Sequence, residues 1–106
     1  MAIFRLTKDN FDEVINGNKF VIIDFWAEWC GTCLSFAPIY IQISELYPDV
    51  VFGRVNTQLE QDISARYRIQ SIPTLIGLKS GEEVYRKPGA IPGQVLKDVV
   101  NEIKGK

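Results

Sequence analysis

The 106-residue sequence has no histidine, a single methionine and two cysteines, and each shortage narrows what the chain can be. A structural zinc site normally draws four ligands from cysteine and histidine. With these residues, one chain would have to recruit carboxylates or share the site across a dimer. Two cysteines also cannot staple a small secreted scaffold, and in a reducing compartment a close pair is catalytic or metal-binding more often than structural. No apolar run approaches the roughly 20 residues that cross a bilayer. The formal net charge is −1 with scattered charges, so no basic block can track a phosphate backbone, and neither nucleic acid nor a membrane is an expected partner. The N-terminal residues MAIFRLTKDNF place Arg5, Lys8 and Asp9 where a signal peptide needs an unbroken apolar stretch, which predicts a cytoplasmic protein.

What is present suits one compact unit. With 46% hydrophobic and 24% charged residues and no repeat or linker, the chain is predicted to fold as a single domain over residues 1–106. A strand is expected at Ile3 to Leu6, then a helix over Asn10 to Ile15 capped by Thr7 or Asp9 and stopped at Asn16-Gly17. Phe20 to Trp26 (FVIIDFW) is apolar on both alternating faces except at Asp24, as in a central strand covered on both sides. From Thr32 to Tyr47, Phe36, Ile39, Tyr40, Ile43, Leu46 and Tyr47 recur at spacings of three and four, predicting an amphipathic helix kinked at Pro38. Val50 to Asn56 reads as a strand and Leu59 to Tyr67 as a short helix. Ile72 to Leu78 and Glu83 to Arg86 form an expected hairpin around Lys79-Ser80-Gly81. Pro92 opens a last helix with Val95, Val99 and Ile103 on one face. The order βαβαβαββα predicts an α/β sandwich: a mixed sheet of about five strands with about four helices on its two faces.

The chemistry concentrates in DFWAEWCGTCLSF, Asp24 to Phe36. One cysteine alone would read as a small core hydrophobe. Cys30 and Cys33 instead stand at i and i+3 where a strand meets a helix N-terminus, a spacing compatible with the roughly 4.4–6.8 Å Cα separation of a disulfide. The unpaired N–H groups and dipole of that terminus stabilise an anion at Cys30, marking it as the nucleophilic thiolate and Cys33 as the resolving thiol. Gly31 leaves the approach to Cys30 free of a side chain. Asp24 has two readings: solvated on an edge strand, or buried with a raised pKa as the acceptor of the Cys33 proton. Arg54, on the neighbouring run, could oppose that rise. Trp26 reads mainly as core, and Trp29, in the turn, as exposed to a partner. Pro73 begins an apolar strand; from the residues alone its peptide bond defaults to trans.

With VIIDFWAEWCGTC, APIY, YRIQSIPTLIGLKSGE and KPGA in place, the sequence resembles the thioredoxin family along essentially its whole length. The resemblance implies the three-layer α/β/α sandwich of that family. It implies that Cys30 attacks a substrate protein's disulfide, that Cys33 resolves the mixed disulfide, that Asp24 is the buried acid–base residue, and that the Ile72-Pro73 bond is cis. It further implies a docking surface of Trp29, Gly31, Thr32, Ile72, Pro73, Gly89 and Ala90, with the backbone before Pro73 pairing to an extended substrate segment. No bound cofactor or metal is expected. The implied partners are disulfide-containing proteins and a thioredoxin reductase, and the expected state is a monomer.

Three positions depart from the family pattern. Thr32 stands where proline is usual between the cysteines, Leu34 where a basic residue is common, and Asn56-Thr57-Gln58 where an aspartate is more usual. These bear on redox potential and partner choice more than on reaction class. Two other functions remain compatible with the sequence: an interaction module without turnover, and a more oxidising oxidase or isomerase.

Overall fold

A computed structural model of the chain describes residues 3–106. Met1 and Ala2, which head the segment read for a leader and belong to the expected 1–106 unit, lie outside the described residues. The element order is β1 (Ile3–Arg5), α1 (Phe11–Gly17), β2 (Phe20–Trp26), α2 (Gly31–Ser44), β3 (Val51–Asn56), α3 (Gln61–Arg66), β4 (Thr74–Lys79), β5 (Glu82–Pro88) and α4 (Gly93–Lys104). The five strands form one sheet in the order β1-β3-β2-β4-β5. β2 pairs parallel to β3 and antiparallel to β4, so the sheet is mixed and β2 is its centre.

Central position explains the composition of β2. Val21, Ile23 and Phe25 pack with Phe11 and Ile15 of α1, Ile63 of α3, and Val55 of β3. Ile22, on the opposite face, packs with Phe36, Tyr40 and Ile43 of α2 and Leu96, Val100 and Ile103 of α4. Both faces of the strand are dry, so apolar residues run without alternation. By the same alternation Asp24 lies on the Ile22 side, beneath α2.

The helix boundaries differ from expectation for local reasons. Asn10 does not cap α1 through its side chain. Its Oδ1 accepts the Thr7 N–H at 2.8 Å and its Nδ2 donates to the Arg5 carbonyl at 3.0 Å, which fastens the β1–α1 turn instead. Thr7 Oγ1 accepts from the Asp9 N–H, so the hydroxyl expected to cap the helix serves the turn. The second helix ends at Ser44 rather than Tyr47, and Leu46, read as part of its buried face, is exposed. In α4, Val95 is 40% exposed while Leu96 and Val100 are buried; the inward stripe is Leu96-Val99-Val100-Ile103, one residue displaced at its start. Leu59, expected in a helix, precedes α3 and is 61% exposed. The last β-hairpin extends farther than read, to Pro88.

Tyr40 ties α2 to the sheet. It is fully buried, and its hydroxyl lies 2.9 Å from the Ile22 carbonyl and 2.8 Å from the Gly53 carbonyl, donating its one hydrogen between two adjacent strands. Tyr40→Phe is expected to lower unfolding free energy by about 1–2 kcal/mol, because the carbonyls lose a donor where water cannot replace it. Urea denaturation monitored by circular dichroism measures this, and an unchanged midpoint would remove the assigned role.

Candidate active site

Cys30 and Cys33 are joined as a disulfide, with Cα atoms 5.2 Å apart. The i, i+3 spacing alone produces this proximity, since Cys30 is the N-cap of α2 and Cys33 lies in its first turn. The Cys33 N–H donates to Cys30 Sγ at 3.2 Å. One of the otherwise unpaired N–H groups at the helix start is therefore aimed at the first sulfur. The cysteines are not equivalent: Cys33 is wholly enclosed, whereas Cys30 keeps 8% of its surface accessible. A partner can reach only the sulfur that faces the helix N-terminus.

The surroundings of Cys30 come from three separate loops. Trp29, 69% exposed, stands beside it in the β2–α2 turn. Gly31 and Thr32, both exposed, begin α2, and a Cβ placed on Gly31 would meet nothing within 4 Å. The Ile72-Pro73 peptide bond is cis, and the Ile72 carbonyl lies 3.9 Å from Cys30 Sγ. Gly89 donates its N–H to the Pro73 carbonyl at 2.7 Å, which draws the β5–α4 loop, with exposed Ala90, alongside. Gly89 has φ of +91°, a backbone state that favours glycine. The expected residues thus fall in the β2–α2 turn and the first two positions of α2 (Trp29, Gly31, Thr32), at the cis peptide before β4 (Ile72, Pro73) and in the β5–α4 loop (Gly89, Ala90).

Asp24 is fully buried in the middle of β2, which removes the edge-strand reading. Its neighbours across the sheet are Arg54 and Leu75. Burial raises the carboxyl pKa from 3.8 to about 6, against the opposing charge and hydrogen bond of Arg54. Arg54 Nε donates to Asp24 Oδ2 at 3.1 Å, while Oδ1 has no hydrogen bond to the protein. The desolvation of the carboxylate therefore outweighs the ion pair. Tyr40 is pushed well above the ordinary phenol range, chiefly by burial and further by the nearby Asp24 charge, so it stays a donor throughout the physiological range. Burial thus brings Asp24, on the α2 side of the sheet, close to neutrality.

Trp26 is only half-buried, contrary to its reading as core. The Arg54 guanidinium stacks over its ring at 4.2 Å from the centroid, so the same cation contacts the buried acid and the indole that leads into the active-site turn. Sequence could suggest Arg54 through its place on the adjacent strand, but only the register Asp24↔Arg54 establishes the contact. The Asn56-Thr57-Gln58 departure is also accommodated locally. Asn56 Oδ1 accepts the N–H groups of Gln58 and Leu59 at 3.0 and 3.2 Å, an Asx turn that does not require a carboxylate.

Among the described residues, no three of His, Cys, Asp and Glu cluster to hold a metal ion, and no helix is long and apolar enough to cross a membrane. The family model described as thioredoxin matches residues 2–102. A putative thioredoxin 2 of Streptomyces coelicolor is 44% identical over 100 residues, covering 94% of this chain and 75% of that protein. A thioredoxin of Pyropia yezoensis is 39% identical over 104 residues, covering 96% and 97% of the two chains. The solved structure of Plasmodium falciparum thioredoxin superposes with a TM-score of 0.86 at 33% identity, covering 96% of this chain and 98% of that one.

Proposed function

Since the chain belongs to the thioredoxin family and is a dithiol–disulfide oxidoreductase, we propose that Cys30 is its attacking thiolate, Cys33 its resolving thiol and Asp24 the acceptor of the Cys33 proton. Thioredoxins act on disulfide-bonded substrates, are returned to the dithiol form by a reductase, and need no bound cofactor. The observation that carries the assignment is the asymmetry of the pair: an accessible sulfur at a helix N-cap and an enclosed one in the first turn.

The cycle follows from that asymmetry. In the reduced protein, Cys30 thiolate attacks one sulfur of a substrate disulfide and expels the other as a substrate thiolate. Cys33 loses its proton to Asp24, directly or through one water, and its sulfur displaces the substrate from Cys30. The second substrate thiolate leaves and the Cys30-Cys33 disulfide remains. Two electrons have passed to the substrate, and a reductase supplies two to restart the cycle. An Asp24 pKa of about 6 suits proton acceptance near neutrality. Trp29, Gly31, Thr32, Ile72, Pro73, Gly89 and Ala90 form the docking surface in this reading, with the substrate backbone pairing beside Ile72. The protein works as a monomeric cytoplasmic electron carrier.

Thr32 tunes the potential. As the second residue of α2 it offers one of the N–H groups without a helical partner, and a donor near Cys30 favours the reduced, thiolate form over the disulfide. Thr32→Pro removes that donor. The wild type is therefore expected to be the more oxidising of the two by a few tens of millivolts, where about 30 mV corresponds to 1.4 kcal/mol. Equilibration of both proteins in glutathione redox buffers measures it, and an equal or lower potential in the wild type would refute the role. Reduction of insulin with dithiothreitol, followed by turbidity, tests the activity as a whole.

A further inference from the structure

Beside the active-site sulfur, the exposed Trp29 together with Ile72, Ser71, Thr57, Gln61 and Ser64 lines one groove. It is continuous with the reacting centre, since the Ile72 carbonyl approaches Cys30 Sγ to 3.9 Å. No Asp, Glu, Lys or Arg lines it.

The hydrogen bonds of Thr57, Ser64 and Gln61 give the lining a polarity. Thr57 Oγ1 donates to the Trp26 carbonyl at 3.1 Å, Ser64 Oγ to the Glu60 carbonyl at 3.0 Å, and Gln61 Nε2 to the Gln58 carbonyl at 3.2 Å. A hydroxyl has one hydrogen, so Thr57 and Ser64 have only acceptor capacity left. Gln61 must turn its amino end to a carbonyl, which leaves its Oε1 free beside one remaining N–H. Gln70 and Ser71, both exposed, can serve either way. The side chains of Thr57, Ser64 and Gln61 therefore offer more acceptors than donors, and the exposed indole of Trp29 lines the same groove.

On the premise that Cys30 attacks substrate disulfides, we propose that this groove is a subsite for a substrate side chain flanking the attacked cysteine, and that it selects arginine or lysine over a carboxylate. A guanidinium or ammonium presents only donors and matches the free oxygens of Thr57, Ser64 and Gln61. It also gains from lying over an indole, the arrangement this protein already uses internally between Arg54 and Trp26. A glutamate in the same place meets acceptors with no cation to neutralise it. The preference is confined to one flank of the cysteine, because Gln61 and Ser64 set the groove against α3, and Gly89 and Ala90 do not line it.

Disulfide peptides carrying Arg, Gln or Glu in turn at each of the two positions before and after the cysteine test this, with kcat/KM for reduction by the full chain measured from released thiol. The expected result is an Arg-over-Glu ratio of about 3- to 10-fold at one flank only, persisting in 0.5 M salt because the contacts are short-range. The ratio is expected to fall toward one in a Thr57→Val/Ser64→Ala variant, each ratio being taken within a single protein. A ratio equal at all four positions, equal for an arginine placed five residues away, or abolished by salt would overturn the subsite and leave only attraction to a net negative protein. If no peptide is reduced, the assignment of Cys30 fails, and the subsite with it.

Discussion

Replacing Cys30 with serine is expected to abolish the catalysed part of insulin reduction, leaving only the background set by dithiothreitol, because a serine hydroxyl at neutral pH is not a nucleophile toward sulfur and forms no mixed disulfide. The burial difference makes the companion variant behave differently. Cys33→Ser keeps the accessible Cys30 at the helix N-cap, so the first attack proceeds and the mixed disulfide accumulates. Denaturing electrophoresis without reductant is expected to show covalent adducts for Cys33→Ser and none for Cys30→Ser. The reverse pattern would exchange the two roles, and unchanged turnover in Cys30→Ser would favour an interaction module that uses the fold without the chemistry.

Replacing Asp24 with asparagine is expected to stabilise the protein at neutral pH while slowing its chemistry. The carboxyl has a folded-state pKa of about 6 against an ordinary 3.8. Below 3.8 both folded and unfolded chains hold the proton, and this group adds no pH dependence. Between 3.8 and about 6 the unfolded chain releases the proton first, so stability falls as pH rises, and above 6 the loss is complete. The gap corresponds to about 3 kcal/mol. An asparagine side chain cannot ionise, so in Asp24→Asn this contribution to the slope is expected to vanish. The variant is expected to be more stable than wild type at pH 7 by about 1–3 kcal/mol, less whatever Arg54 loses with its partner. Guanidinium denaturation from pH 4 to pH 7.5 measures the curve. A variant as pH-dependent as wild type in that window would show that Asp24 does not titrate there. Resolution of the mixed disulfide, followed by stopped flow, is expected to slow by roughly 10²-fold through loss of the proton acceptor. An unaltered rate would leave Asp24 with a structural cost and no catalytic part.

The two variants separate effects that lie close together in space. Cys30→Ser alters a sulfur that is uncharged in the disulfide and has a small accessible edge, and it is expected to act on activity with little change in the pH dependence of stability. Asp24→Asn alters a buried charge and changes both. Arg54 links them, since its guanidinium touches Asp24 at 3.1 Å and stacks on Trp26 at the entrance to the active-site turn.

The strand–turn–helix carrying Asp24, Cys30 and Cys33 was legible in the sequence because its constraints are local. Six apolar residues in a strand of seven, broken only by Asp24, mark a strand buried on both faces, and an i, i+3 pair after it falls within one helical turn whatever the remainder of the chain does. Element order followed from the same periodicities. What the sequence left open depends on residues far apart along the chain. The choice between a solvated and a buried Asp24 was decided by strand order, which puts β2 at the centre of the sheet. The Arg54 contact needed the β2–β3 register, and the meeting of Ile72, Gly89 and Cys30 needed three loops brought to one end of the sheet. Leu46 misled the reading because periodicity continues past the point where the backbone leaves the helix. Thr57, Gln61 and Ser64 were silent because a hydroxyl or amide shows its free lone pairs only once its hydrogen has found a partner. Reaction class therefore came from local spacing, whereas the acidity of Asp24 and the polarity of the groove came from packing, since desolvation and hydrogen-bond partners exist only in the folded chain.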